Sequence, residues 1–153
     1  MNQRVMIDLG MDIPLPATTV YAFLADIQNA EPIPRSAAVK MVKTPPGPTR
    51  VGTQWHESVR FAPGLWMHVL SAVTEAAEPH VLAMRFTSMW WSGELRYEIT
   101  DSPTGCRLHH HETLTPRAPL RPFSRWIQSS LERKIEERLR DIRDVAVLAN
   151  GRG

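Results

Sequence analysis

Residues 123–149 read FSRWIQSSLERKIEERLRDIRDVAVLA. Apolar side chains fall at Phe123, Trp126, Ile127, Leu131, Ile135, Leu139, Ile142, Val145, Ala146 and Ala149, the three-and-four spacing of one helix face. The spacing predicts a helix about 27 residues long, near 40 Å at ~1.5 Å per residue. The opposite face carries Glu132, Arg133, Glu136, Glu137, Arg140, Asp141, Arg143 and Asp144. Pairs such as Arg133/Glu137 and Glu136/Arg140 stand four residues apart and each add a few tenths of a kcal/mol. Gly151 marks the end. A helix with one apolar stripe has to bury it against another layer, so the remaining chain must supply that face.

Upstream the period is two. Val5, Ile7, Leu9, Met11 and Ile13 alternate as a half-buried strand does, and Pro14 and Pro16 stop it. Val20, Phe23 and Leu24 then mark a short helix near Thr18 and Thr19, and residues 28–35, with Pro32 and Pro34, hold at most a turn of a second. Strand-like runs follow at 36–43, 51–61, 65–75, 81–87, 90–100 and 106–115. They are parted by turn signals: Pro45-Pro46-Gly47-Pro48, Ala62-Pro63-Gly64, Glu78-Pro79-His80 and Asp101-Ser102-Pro103-Thr104-Gly105. Pro116, Pro119 and Pro122 punctuate a loop before the long helix. The fold class is therefore α+β: a curved antiparallel sheet of about seven strands wrapped around a C-terminal helix, with two short helices after the first strand.

Length and charge narrow the function classes. The chain has 153 residues, one domain's worth, and its 42% hydrophobic and 22% charged content is that of a globular protein. Residues 1–153 are read as a single domain. No apolar run reaches the ~18 residues of a membrane span, and the first residues lack the apolar core of a secretory signal. The single cysteine, Cys106, forms no internal disulfide and fits a reducing cytoplasm. The net charge is +2, with bases and acids interleaved, so no basic stripe for nucleic acid is expected.

The order and punctuation resemble the START-like superfamily, also described as Bet v 1-like or as the polyketide cyclase/dehydrase and lipid-transport group. Four stretches carry the resemblance: Ile13-Pro14-Leu15-Pro16 followed by Val20, Phe23-Leu24 and Asp26; Val51-Gly52-Thr53; Val73-Thr74-Glu75 with Glu78-Pro79; and Gly105-Cys106-Arg107-Leu108. Where the family often has Trp shortly after the Asp, Ile33-Pro34 stand here. The resemblance implies a helix-grip fold with an internal hydrophobic cavity. It does not imply one chemistry, because the group spans cyclases, lipid carriers and plain binding proteins.

Alternation assigns the inward side chains. Trp55, Glu57, Val59 and Phe61 face in from one strand, and Leu65, Met67, Val69, Ser71 and Val73 from the next. Leu82, Met84 and Phe86 follow, then Trp91, Gly93, Leu95, Tyr97 and Ile99, then Cys106, Leu108, His110, Glu112 and Leu114. The long helix adds Trp126, Leu131 and Ser130. Five Trp and seven Met are many for this length, and both suit a pocket for bulky apolar ligands. The expected ligand-binding set is Trp55, Met67, Val69, Met84, Phe86, Trp91, Leu95, Tyr97, Leu108, Trp126 and Ser130. Glu57, His110 and Glu112 are polar members of an apolar set. A buried carboxylate needs a partner, and imidazole supplies one. These three are the candidate catalytic residues, able to exchange protons near neutral pH.

His109-His110-His111 puts His109 and His111 on one side of a strand and His110 on the other. Two imidazoles fall short of a closed zinc site, and only His56 or His68 could add a third, so no metal is expected. Arg60, Arg85 and Arg96 either mark a cavity mouth for an acidic ligand head or are outward strand charges. No glycine-rich phosphate loop and no G-x-S-x-G elbow is present, so no cofactor is expected. The leading functional expectation is a module that binds a small hydrophobic or aromatic molecule, such as a lipid, polyketide or quinone-like compound. The alternative is a polyketide cyclase or aromatase using the same cavity. Expected partners are that ligand and, at most, a second copy of the chain; neither nucleic acid nor stable membrane insertion is expected.

Overall fold

A computed structural model describes residues 4–25 and 39–151, without the side chains at 39–41, 59–62, 65, 145, 146 and 149–151. The chain runs β1 (Val5–Ile13), α1 (Ala17–Ala25), β2 (Val39–Thr44), β3 (Gln54–Ala62), β4 (Leu65–Ala77), β5 (Val81–Ser88), β6 (Trp91–Ser102) and β7 (Gly105–Pro116). A 3₁₀ helix (Ala118–Phe123) then leads into α2 (Ser124–Gly151). The sheet order is β1-β7-β6-β5-β4-β3-β2, and every neighbouring pair is antiparallel. Consecutive strands from β2 to β7 form a meander. Only β1 reaches across the chain, pairing with β7 so that Val5 faces Leu114 and Ile13 faces Cys106. This is the helix-grip layout expected from the sequence. The second short helix, placed at 28–35, and Asp26 lie outside the described residues, as do the side chains of Val59, Arg60, Phe61, Leu65, Val145, Ala146 and Ala149.

Most strand ends differ from the sequence reading by a residue or two, and two larger differences have local reasons. The run predicted to begin at residue 51 starts as a strand only at Gln54. Gly52 takes a positive φ of 93°, where a side chain would be strained. The turn is closed by Thr53, whose Oγ1 accepts from the Arg50 amide at 3.0 Å while its own amide donates to the Arg50 carbonyl at 3.0 Å. Gly52 and Thr53 then exchange backbone bonds with Val73, which docks the turn on β4 and buries Thr53. The Pro116–Pro122 loop is instead a 3₁₀ helix. Proline fixes φ near the helical value and gives up an amide that a first turn leaves unpaired anyway.

One face of the sheet and the helix stripe make the core. Ile127, Ile135, Leu139 and Ile142 of α2 are buried together with Val5, Ile7, Ile13, Val20, Leu24, Leu82, Ile99, Leu108 and Leu114. Within the sheet, α2 approaches β1 most closely, and α1 closes the same end. No helix of the described residues is long and apolar enough to cross a membrane.

Candidate functional site

Burial along the concave face is graded. At one end Val73, Leu82, Ile99, Cys106 and Leu108 are almost fully buried under α1 and α2. Toward the other end Met67, Val69, Met84, Trp91 and Leu95 point inward by parity, yet remain only half-buried. Ser130 and Leu131 of α2 are half-buried above them. Apolar side chains on this inner face are thus covered at the α1 end and remain partly accessible toward the other. Trp55, Phe86, Tyr97 and Leu108 complete the expected set as buried members.

Trp126 corrects the sequence reading. It was assigned inward, but it is 71% exposed, and Phe123 is exposed as well. The buried stripe begins at Ile127 and runs through Leu131, Ile135, Leu139 and Ile142. At about 100° per residue, Trp126 sits a hundred degrees back from Ile127, on the side away from Leu131. An aromatic residue beside a stripe extends the apparent period without joining the face.

Between the closed and open zones lies a polar corner. His110 and Tyr97 are register partners on β7 and β6, and Glu112 lies two residues further along β7, opposite Leu95. His110 Nε2 stands 3.2 Å from Glu112 Oε2, with only 4% and 15% of the two side chains exposed. The Tyr97 ring meets the imidazole edge-on, centroids 5.2 Å apart. Nδ1 of His110 is buried with no hydrogen-bond partner among the described residues. An imidazole that donates through Nε2 to a carboxylate and carries no second proton presents Nδ1 as a bare acceptor. Glu57, half-buried on β3, is not hydrogen-bonded to His110, so the pairing predicted for three residues is made by two. Its charge is still felt at Tyr97.

Burial pushes the Tyr97 phenol above its ordinary value; Arg138 opposes that shift, and Glu112 and Glu57 add to it. Tyr97 therefore stays a phenol, an O–H donor, through neutral pH. Arg138 was missed in the sequence, although it follows Ile127, Leu131 and Ile135 at helical spacing and so lies beside the inward stripe. Cys106 is buried too; burial, then Asp101 and Asp12, push its thiol up, which keeps it protonated and a poor nucleophile.

The tyrosines give a test. The chain has two, and burial also raises Tyr21, with Glu78 adding to it. A pKa above the ordinary value of about 10 means the folded state holds the proton more tightly. The stabilisation is complete below pH ~10 and is lost as pH rises through the folded-state value. Ultraviolet titration is expected to show each tyrosine less than half ionised at pH ~10 in the folded chain, with circular dichroism followed alongside to mark unfolding. Both equivalents half-ionised at or below pH ~10 in folded protein would contradict the buried setting of the corner.

The convex face is a different surface. Arg85 pairs with Glu94 at 3.1 Å, and Arg96 bridges Glu75 at 2.6 Å and Glu98 at 2.7 Å. Arg85 and Arg96 are thus outward strand charges. An open groove of about 540 Å³ crosses this face between Leu70, Ala72, Arg85, Thr87, Thr113 and Thr115. Those side chains alternate with the inward ones, so the groove lies on the other side of the sheet from His110.

A curved antiparallel sheet gripping a long C-terminal helix, with a buried imidazole–carboxylate pair on its inner face, defines the helix-grip class of fold. The chain belongs to the polyketide cyclase / dehydrase and lipid transport family, whose model matches residues 5–147. No sequence among the curated proteins matches it. Among solved structures it is similar to the di-domain aromatase/cyclase StfQ of the steffimycin biosynthetic pathway. That match has a TM-score of 0.78 at 14% identity and covers 97% of this chain, but only 52%, about half, of that one. It is also similar to the ZhuI aromatase/cyclase from Streptomyces sp. R1128, with a TM-score of 0.73, 16% identity and 94% of both chains covered. Norcoclaurine synthase from Thalictrum flavum gives a TM-score of 0.70 at 10% identity over 98% of both chains. At such identities the likeness shows the fold alone.

Proposed function

We propose that the chain binds a small hydrophobic or aromatic ligand between the sheet and α2, with a hydroxyl or enol of that ligand donating to Nδ1 of His110. The observation that carries this reading is the buried Nδ1, which has no hydrogen-bond partner among the described residues. A buried polar atom left without a hydrogen bond costs roughly 1–3 kcal/mol, and such atoms are uncommon unless something else completes them. Tyr97, held as a phenol, supplies a donor one strand away, so a hydroxyl beside a carbonyl suits this corner. Met67, Val69, Met84, Trp91 and Leu95 supply adaptable apolar area. Burying ~300 Å² of ligand apolar surface contributes several kcal/mol before ordering costs. The lone buried thiol supports a cytoplasmic setting.

The alternative, a cyclase or aromatase, is favoured by the same pair. An imidazole backed by a carboxylate, facing a phenol, can take a proton and return it to a folded poly-β-ketone chain. Thermal shift and native mass spectrometry against fatty acids, hydroxylated polycyclic aromatics and quinones test the binding reading. One-to-one complexes with the hydroxylated aromatics, weakened in His110→Ala, are expected. No binder in any class would refute it. Conversion of a model poly-β-ketone by the unaltered chain and not by His110→Ala would establish the enzyme; equal products from both would reject His110 as its base.

A further inference from the structure

The convex face of the β1–β7 pair holds a second group of chemistry-bearing side chains. The register sets Asp8 opposite His111 and Gly10 opposite His109. His111 Nδ1 lies 3.3 Å from Asp8 Oδ1. The His109 and His111 rings stack at 5.7 Å with 24° between their planes. One ligand atom each from Asp8, His109 and His111 can be chosen so that all three lie within 4.8 Å of one another. The sequence reading stopped at two imidazoles; the third ligand comes from a strand 100 residues earlier, which only the pairing register reveals.

We propose that Asp8, His109 and His111 form a divalent transition-metal site, with Zn²⁺ as its occupant. Two imidazoles and one carboxylate are the borderline nitrogen and oxygen donors that Zn²⁺ takes. At metal–ligand lengths of about 2.1 Å, donors on one tetrahedral ion stand roughly 3.3 Å apart. The Asp8–His111 pair is already at that spacing. The other separations, all within 4.8 Å, close by small side-chain rotations, Asp8 being exposed and His109 and His111 half-exposed. Three protein ligands leave a position for water, the open arrangement of a Zn²⁺ site exposed to solvent. Glu98 Oε2, 3.8 Å from His111 Nε2, adds negative potential without being a ligand, because its other oxygen accepts from Arg96 at 2.7 Å. The cations beside the site are paired: Arg96, the register partner of His111, bridges Glu75 and Glu98, and Arg107 bonds Asp12 at 2.9 Å. A metal here would clamp the first strand to the last, closing the longest loop in the fold.

Calorimetric titration of Zn²⁺ into the full chain, with Co²⁺ as a coloured substitute, tests the site. One ion per chain is expected, with visible Co²⁺ bands and a raised thermal midpoint. Asp8→Asn alone, and the triple variant Asp8→Asn/His109→Gln/His111→Gln, should weaken binding at least about tenfold and remove the thermal shift. All three positions are surface groups, and metal-free thermal midpoints verify that the variants remain folded. His56 and His68 form another imidazole pair, 3.2 Å apart on the β3–β4 strands. His56→Gln/His68→Gln should therefore leave affinity unchanged. The proposal is overturned if Zn²⁺ does not bind, if the triple variant binds as well as the unaltered chain, or if the His56/His68 variant abolishes binding.

Discussion

Replacing Gly93 with alanine is expected to cost about 3 kcal/mol or more, at the upper end of what an overpacked interior position costs. Gly93 faces inward on β6, where an added Cβ would stand 1.9 Å from the backbone oxygen of Thr113 and 2.7 Å from Cζ of Phe86. The first contact is with the main chain of β7, which cannot yield without breaking the β6–β7 ladder. The second is with the ring of its own register partner on β5: Phe86 lies over the glycine, and an aromatic ring covering a strand glycine is a recurrent way to hold both. For a chain of this length each kcal/mol lowers Tm by about 2–4 °C, so a drop of roughly 6–12 °C is expected. Gly10 is the control. There the added Cβ meets the end of the Arg107 side chain at 2.8 Å, a group that can swing aside. Gly10→Ala should therefore cost less than about 1 kcal/mol. Equal losses in urea melts of the two variants would show that the close approach at Gly93 is absent.

The comparison of these two glycines indicates what the sequence could and could not disclose. Along β5, β6 and β7 alternation told inside from outside: Arg85, Arg96, Arg107, His109 and His111 turn out while Leu82, Tyr97, Leu108 and His110 turn in. It did so because a two-residue period is local and each strand buries one face. Alternation also placed Gly93 on the inner face. That Phe86 fills the space above it depends on the pairing of β5 with β6, which no local pattern encodes. The same limit explains Asp8. Its place beside His111 follows from a contact between the first and last strands, separated by most of the chain. Trp126 shows a limit of another kind. Periodicity merges neighbouring apolar residues into one stripe, and only tertiary packing selects Ile127 over Trp126 as its start.

Within the candidate site, identity was easier to read than partnership. His110, Glu112, Glu57 and Tyr97 stood out because polar residues at inward positions are costly. Which of them join was decided by spacing along one strand and by the β6–β7 register. Two residues on β7 lie on the same face, so His110 meets Glu112 directly, whereas Glu57 belongs to β3, four strands away in the sheet order. Its influence reaches Tyr97 as charge, not as a hydrogen bond.

The double variant His110→Leu/Glu112→Met is expected to be more stable than the unaltered chain by about 1–3 kcal/mol, while losing affinity for hydroxylated ligands about tenfold or more. The two signs have separate causes. His110 and Glu112 are withdrawn from water, and the hydrogen bond between them at 3.2 Å does not satisfy Nδ1. Replacing a buried polar pair by apolar side chains of similar size removes the desolvation of both groups and the unpaired acceptor together. Removing only one partner does the reverse. His110→Leu alone leaves the Glu112 carboxylate beside Tyr97 with neither imidazole nor full hydration, which should cost about 1–3 kcal/mol relative to the double variant. The two substitutions are therefore strongly non-additive, and a double-mutant cycle in urea measures the coupling directly. A chain that keeps a destabilising pair in its interior holds it for what it binds or does. If the double variant is instead less stable than the unaltered chain, the pair is a structural element of the core. Retention of ligand affinity by a stabilised double variant would separate the pair from recognition, leaving the apolar wall of Met67, Met84, Trp91 and Leu95 to account for binding.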